Sequence, residues 1–142
     1  MTRFLTIASL LLAACDPADL PPPAAPTAKV VQPTDHQLCV QLFAKSRTCS
    51  AQFVPALVDA RASADQPHGI ADAVKADRAG VIAQANQEWA DDSQDAAIDT
   101  RCTALPSLGS DRDAAEHCLS AADCDGFVSC EMPILAAHLG DR

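Results

Sequence analysis

The chain has 142 residues and a mass of 14.8 kDa, enough for one domain and too little for two joined by a linker. Apolar residues make up 49% and charged ones 20%, which excludes wholesale disorder, collagen and a polytopic membrane protein. Nineteen acids against ten bases give a formal charge of −9 with no basic cluster, so nucleic-acid binding is excluded.

The amino terminus reads as an address. Met1-Thr2-Arg3 is a short, positively charged start, and Phe4 to Ala14 is an apolar run of eleven residues. That run is too short to cross a bilayer, which takes roughly 17–25 residues, but it suits a secretory signal peptide. Leu12-Ala13-Ala14-Cys15 closes it and resembles the lipobox of bacterial lipoproteins. The resemblance implies removal of residues 1–14, a thioether-linked diacylglycerol on Cys15 and acylation of the new amino group, with palmitate as a typical chain. Two or three acyl chains make a durable anchor where one binds only reversibly. The expected location is therefore the bacterial cell envelope, with Cys15 as the membrane contact. Asp16 resembles the inner-membrane retention signal of enteric lipoproteins and tilts the expectation toward that membrane, without deciding it.

Residues 15–34 read as the lipidated cysteine and a tether. Six of the ten prolines fall between Asp16 and Thr34. Proline fixes φ and withholds a donor, so the segment is expected to be extended, at about 3.1 Å per residue roughly 60 Å long.

Residues 35–142 read as one all-α domain of five or six short helices, a disulfide-stapled bundle behind the tether. Thr34 and Gln37 have capping-box spacing, and Leu38, Cys39, Leu42, Phe43 and Cys49 continue a helical stripe to about Ser50. A second helix is expected over Phe53 to Ala64, with Pro55 in its first turn. A third runs from Ile70 to Ala90, with a break expected at Gly80. Asp92 or Ser93 is the expected cap of a fourth, which ends at Leu105-Pro106. A fifth covers about Asp111 to Ser120. The last spans Asp123 to Leu139, capped by Asp123 or Asp125 and kinked at Pro133. No run alternates with period two, and no long repeat is visible.

Cys39, Cys49, Cys102, Cys118, Cys124 and Cys130 remain once Cys15 is assigned to lipid. An even number in an exported chain implies a disulfide framework, here of three bridges. Ten residues of helix separate Cys39 from Cys49 by about 15 Å, so each should pair with another segment. Were Cys118 and Cys130 joined by one continuous helix, its antiparallel docking would favour Cys39–Cys130, Cys49–Cys118 and Cys102–Cys124; the break expected near Asp123 counts against that geometry. The domain is also similar to small cysteine-rich helical lipoproteins of myxobacterial-type genomes. The likeness lies in Phe53-Val54-Pro55-Ala56-Leu57-Val58-Asp59 and Cys124-Asp125-Gly126-Phe127-Val128-Ser129-Cys130, and it implies no activity.

Other constellations fall short of chemistry. No C-x-x-C occurs, and His36, His68, His117 and His138 are scattered, so no metal or other cofactor is expected. Asp123-Cys124-Asp125-Gly126 with Glu131 misses the calcium-loop register by one residue, which leaves a helix cap as the reading. Asp113 and His117 lie one turn apart without a neighbouring nucleophile, and the usual catalytic and phosphate-binding signatures are missing, so no catalytic residues are assigned. Glu88, Asp91, Asp92, Asp95 and Asp99 crowd around Trp89. Trp89 is read as core. The alternative makes Glu88, Trp89, Asp91 and Asp92 a docking face for a basic protein.

Two functions follow as expectations. The first is a non-catalytic envelope lipoprotein that displays a rigid helical module for structural or interaction purposes. The second is an inhibitor or immunity lipoprotein whose acidic surface blocks a basic secreted hydrolase.

Overall fold

The capping box forms as its spacing requires. Thr34 Oγ1 accepts from the Gln37 N–H at 3.2 Å, and Gln37 Oε1 accepts from the Thr34 N–H at 2.8 Å. In the computed structural model, which describes residues 32–139 apart from residue 106, this start opens α1 (Asp35–Thr48). Five more helices follow: α2 (Ser50–Ala64), α3 (Ile70–Asp92), α4 (Asp95–Ala104), α5 (Arg112–Leu119) and α6 (Cys124–Ala137). A single 3₁₀ turn, Gly109–Asp111, leads into α5, and no strand occurs among the described residues. The fold is all-α. Residues 1–31, with the expected signal peptide, Cys15 and most of the tether, lie outside the described residues, as does Pro106.

Four local expectations need correction. The first stripe ends in a joint at Cys49, whose backbone leaves the helical range (φ −96°, ψ 18°) while its N–H still donates to the Lys45 carbonyl at 2.9 Å. Its own carbonyl accepts from Gln52 and Phe53, so one residue closes α1 and opens α2. Consequently α2 begins at Ser50, ahead of Phe53, and Pro55 falls in its second turn. The carbonyl that loses a donor to Pro55 belongs to Ala51, an exposed residue where water can substitute.

The break in α3 lies at Asp77 (φ −153°, ψ 80°), three residues before the expected Gly80. Asp77 acts as an internal cap: its Oδ1 accepts from the Gly80 N–H at 2.9 Å. Gly80 permits this closeness, because a Cβ there would stand 2.2 Å from Asp77 Oδ2. Arg78 then clamps the second half of α3 to α2 through a two-pronged contact with Asp59, at 3.0 and 2.7 Å.

The cap of α4 is Gln94, and no side chain serves it. Ser93 instead ends α3, buried, with its carbonyl held by Arg47 at 2.9 Å. Asp123 does cap α6, accepting from the Gly126 N–H at 2.8 Å, and Pro133 lies inside that helix, which continues to Ala137.

Two buried clusters organise the packing. Cys49, Phe53, Val54, Cys118, Phe127 and Val128 form the larger, where α2, α5 and α6 meet. Cys39, Ile98 and Cys102 form the smaller, between α1 and α4. Phe127 is the largest side chain fully removed from water, and burial of such a group contributes roughly 1.5–3 kcal/mol. Polar contacts complete the joints. Lys45 donates to the carbonyls of Leu119 and Ala121 at 2.7 Å each, closing the end of α5, and its ammonium stands 5.0 Å over the Phe127 ring. Arg112 joins α5 to the entry of the domain, bonding the Asp35 carboxylate and the Pro33 carbonyl, and reaches Glu116 at 3.2 Å.

Candidate functional site

The six cysteines of the domain pair as Cys39–Cys102, Cys49–Cys124 and Cys118–Cys130, with Cα separations of 5.6, 5.3 and 5.4 Å. These separations lie in the normal disulfide range. Three bridges form, as the count implies, but none of the favoured pairings occurs. The reason is the chain reversal between α5 and α6. Cys118 and Cys130 would be about 18 Å apart on one continuous helix. The turn at Ser120–Asp123 folds α6 back on α5 and brings the two together. That placement delivers Cys124, at the start of α6, to the Cys49 joint. The remaining pair, Cys39 with Cys102, then fastens α1 to α4. Cys39 and Cys49 do bond outside their own segment.

The framework links α1, α4, α5 and α6 and reaches the first residue before α2. α3 contains no cysteine and no buried residue. It is held by packing on α2, by the Asp59–Arg78 clamp and by Trp89.

Trp89 is half-buried against the larger cluster, with ring centroids 4.8 Å from Phe53 and 6.0 Å from Phe43. Its indole N–H is enclosed without a hydrogen-bond partner among the described residues. The ring therefore works as packing between α3 and the α1–α2 joint. The acids beside it part company. Glu88 is exposed and accepts from Gln84 at 2.9 Å, Asp91 is exposed, and Asp92 pairs with Arg101 at 2.7 Å. Asp95 pairs with Arg47 at 2.7 Å and Asp99 with His36 at 3.1 Å. Two open clefts, of about 270 and 310 Å³, flank Arg47; Val40, Ala44 and Ile98 line the first, and Ser50, Asn86 and Trp89 the second.

Histidines pair with aspartates. His68 meets Asp65 at 2.6 Å, and His138 meets Asp111 at 2.7 Å. Asp113 and His117 are both exposed. Among the described residues no group of three or more His, Cys, Asp or Glu side chains is arranged to hold a metal ion, and no helix is long and apolar enough to cross a membrane.

One polar pair is buried. Ser46 (1% exposed) on α1 meets Glu131 (6% exposed) on α6, with Oγ 3.0 and 3.3 Å from the carboxyl oxygens. Burial pushes the Glu131 carboxyl up to about 7, against a smaller downward pull from the Ser46 hydroxyl. In the sequence, Glu131 stands out only as a near-miss calcium ligand. A signal for its burial was present: Glu131 follows Phe127 by four residues and so shares its helical face, while Ser46 follows Leu42 by four. Two polar residues on two apolar stripes mark a joint.

At the domain entry, Asp35 accepts from the Leu108 N–H at 3.2 Å, from Ser107 Oγ at 3.0 Å and from Arg112. The Leu108 N–H foremost, then the Ser107 hydroxyl, hold its carboxyl below the usual carboxylate range, and Arg112 adds to them.

No protein-family model, curated protein or solved structure matches this chain.

Proposed function

We propose that the chain is an exported lipoprotein whose domain serves as a non-catalytic structural or interaction module in the bacterial envelope. The supporting observation is cysteine bookkeeping: all six domain cysteines are consumed by three internal bridges, and Cys15 of Leu12-Ala13-Ala14-Cys15 is the odd one. Such a framework persists in an oxidising compartment, and a seventh cysteine after an apolar leader has lipid as its natural partner. Cys15 anchors the module, residues 15–34 space it from the membrane, and Asp16 favours the inner one. The crossing ion pairs and bridges make the domain a rigid display surface.

Mass spectrometry of the protein recovered from envelopes tests the anchor. Acyl chains on an amino-terminal Cys15 are expected, and Cys15→Ser should leave the protein uncleaved or unanchored. An unmodified Cys15 in an uncleaved chain would overturn the reading.

A second reading, an inhibitor or immunity lipoprotein for a basic secreted hydrolase, draws on the acid-rich end of α3, where Glu88 and Asp91 are exposed. It requires a stoichiometric complex with such a hydrolase, which Glu88→Lys together with Asp91→Lys should weaken at low salt. Binding unaffected by that charge reversal would end it.

A further inference from the structure

Among the described residues, the Ser46–Glu131 contact encloses a titratable group without a counter-charge. We propose that it is a proton-dependent latch: the folded domain holds Glu131 as a neutral acid, and ionisation of Glu131 loosens α6 from α1.

The proton inventory carries the argument. Ser46 has one hydroxyl proton, and its Oγ lies 2.8 Å from the Leu42 carbonyl as well as 3.0 Å from Glu131. A protonated Glu131 donates to Ser46 Oγ, and Ser46 donates onward to the Leu42 carbonyl. Every proton in that chain has an acceptor within reach. An ionised Glu131 has at most the single Ser46 proton to share among its lone pairs, in a setting almost closed to water. A buried carboxylate so poorly served is strongly disfavoured.

Among the described residues, none supplies a cation to offset it. From α1 comes Lys45, whose ammonium is committed to the Leu119 and Ala121 carbonyls. α2 contributes Phe53, Val54 and Leu57 to the cluster around α6, none of them titratable. On α5, Cys118 is in its disulfide, and Arg112 and Glu116 face each other while Arg112 also holds Asp35. Asp123 caps the start of α6, Asp125 within it is exposed, and His138 just past its end pairs with Asp111. No basic side chain among the described residues forms an ion pair with Glu131.

The sign follows from linkage. Burial raises the folded-state value to about 7 from an ordinary 4.5, so the folded domain binds more protons than the unfolded chain between those limits. Stability attributable to this group is full below about pH 4.5 and is lost as the pH rises to 7 and past it. The domain is thus tighter in mildly acid than in alkaline surroundings. This inference rests on the fold alone and stands or falls independently of the lipid anchor.

Urea unfolding of the full chain and of Glu131→Gln at pH 5 and pH 8 is the test. The glutamine keeps the shape and a donor but cannot ionise. The wild-type folding constant should drop between the two pH values by on the order of a hundredfold more than that of the variant. Every other ionisable group is common to the two proteins, so its contribution cancels in the comparison. Parallel pH dependences would overturn the proposal. Should the variant fail to fold, carbon-13 titration of the wild-type Glu131 carboxyl decides alone: a midpoint near 7 supports the latch, and one between 4 and 5 overturns it.

Discussion

Cys49 is bonded to Cys124, so the one residue that separates α1 from α2 is also the docking point for the start of α6. Three helices meet at that bond, and the larger buried cluster grows around it.

The bridges should differ in value. Cys49–Cys124 closes a loop of 75 residues and Cys118–Cys130 one of 12. On chain-entropy grounds the longer contributes about 4.5 kcal/mol and the shorter about 2.8. Paired Cys→Ala substitutions should rank in that order when urea midpoints are compared. Thiol titration of the denatured, unreduced protein should find no free cysteine among the six.

Lys45 is expected to matter more than a surface lysine. Lys45→Met keeps the stem but removes two charged hydrogen bonds at the end of α5. A loss of about 1.5–3 kcal/mol is expected from equilibrium unfolding, where an exposed lysine would give less than about 0.5.

Hydrogen exchange should single out α3. With no bridge and no buried residue, its amides should open below the global unfolding free energy, beginning in Ile70–Ala76 ahead of the Asp77 kink. The amides of α1 beyond Cys39 and those of α6 should exchange last. Asp59→Ala should speed exchange after the kink by releasing Arg78.

Acid should act through Asp35. Its folded-state value is depressed, so its contribution is present above about pH 4 and is lost as the pH falls through the lower folded value. Asp35→Asn should lower stability at pH 7 and flatten the dependence between pH 4 and pH 2, as read from thermal midpoints. An unchanged acid limb would remove Asp35 from the account.

Local signals were readable where local chemistry decides the outcome. The Thr34–Gln37 box forms as read, and of the two caps offered for α6, Asp123 or Asp125, Asp123 is the one used; each satisfies backbone donors within one turn. A boundary between Ser50 and Phe53 was readable, but not the direct joint at Cys49, where α2 follows α1 with no linker and Cys49 is bonded to Cys124. The kink at Asp77 was displaced for a related reason. Gly80 marks the site, but the carboxylate that caps the new turn sits three residues earlier. The favoured pairing held only for a continuous helix from Cys118 to Cys130, and the break near Asp123 that the sequence also indicates brings those two cysteines together instead. Trp89 was legible as packing, while the separation of Glu88 and Asp91 from the paired Asp92 depended on where Arg101 falls in space.

Arg112 has a mechanical meaning. It grips Asp35 and the Pro33 carbonyl from α5, so a pull applied to the chain ahead of Pro33 meets α5 before it meets the rest of α1. If that grip fails, unwinding of α1 proceeds only as far as Cys39, where the covalent link diverts the load to Cys102 and α4. From α5 the load passes through Cys118–Cys130 into α6. A domain fastened in this way resists being unzipped from its first residue, and strain at its front end is shared across the bundle in shear.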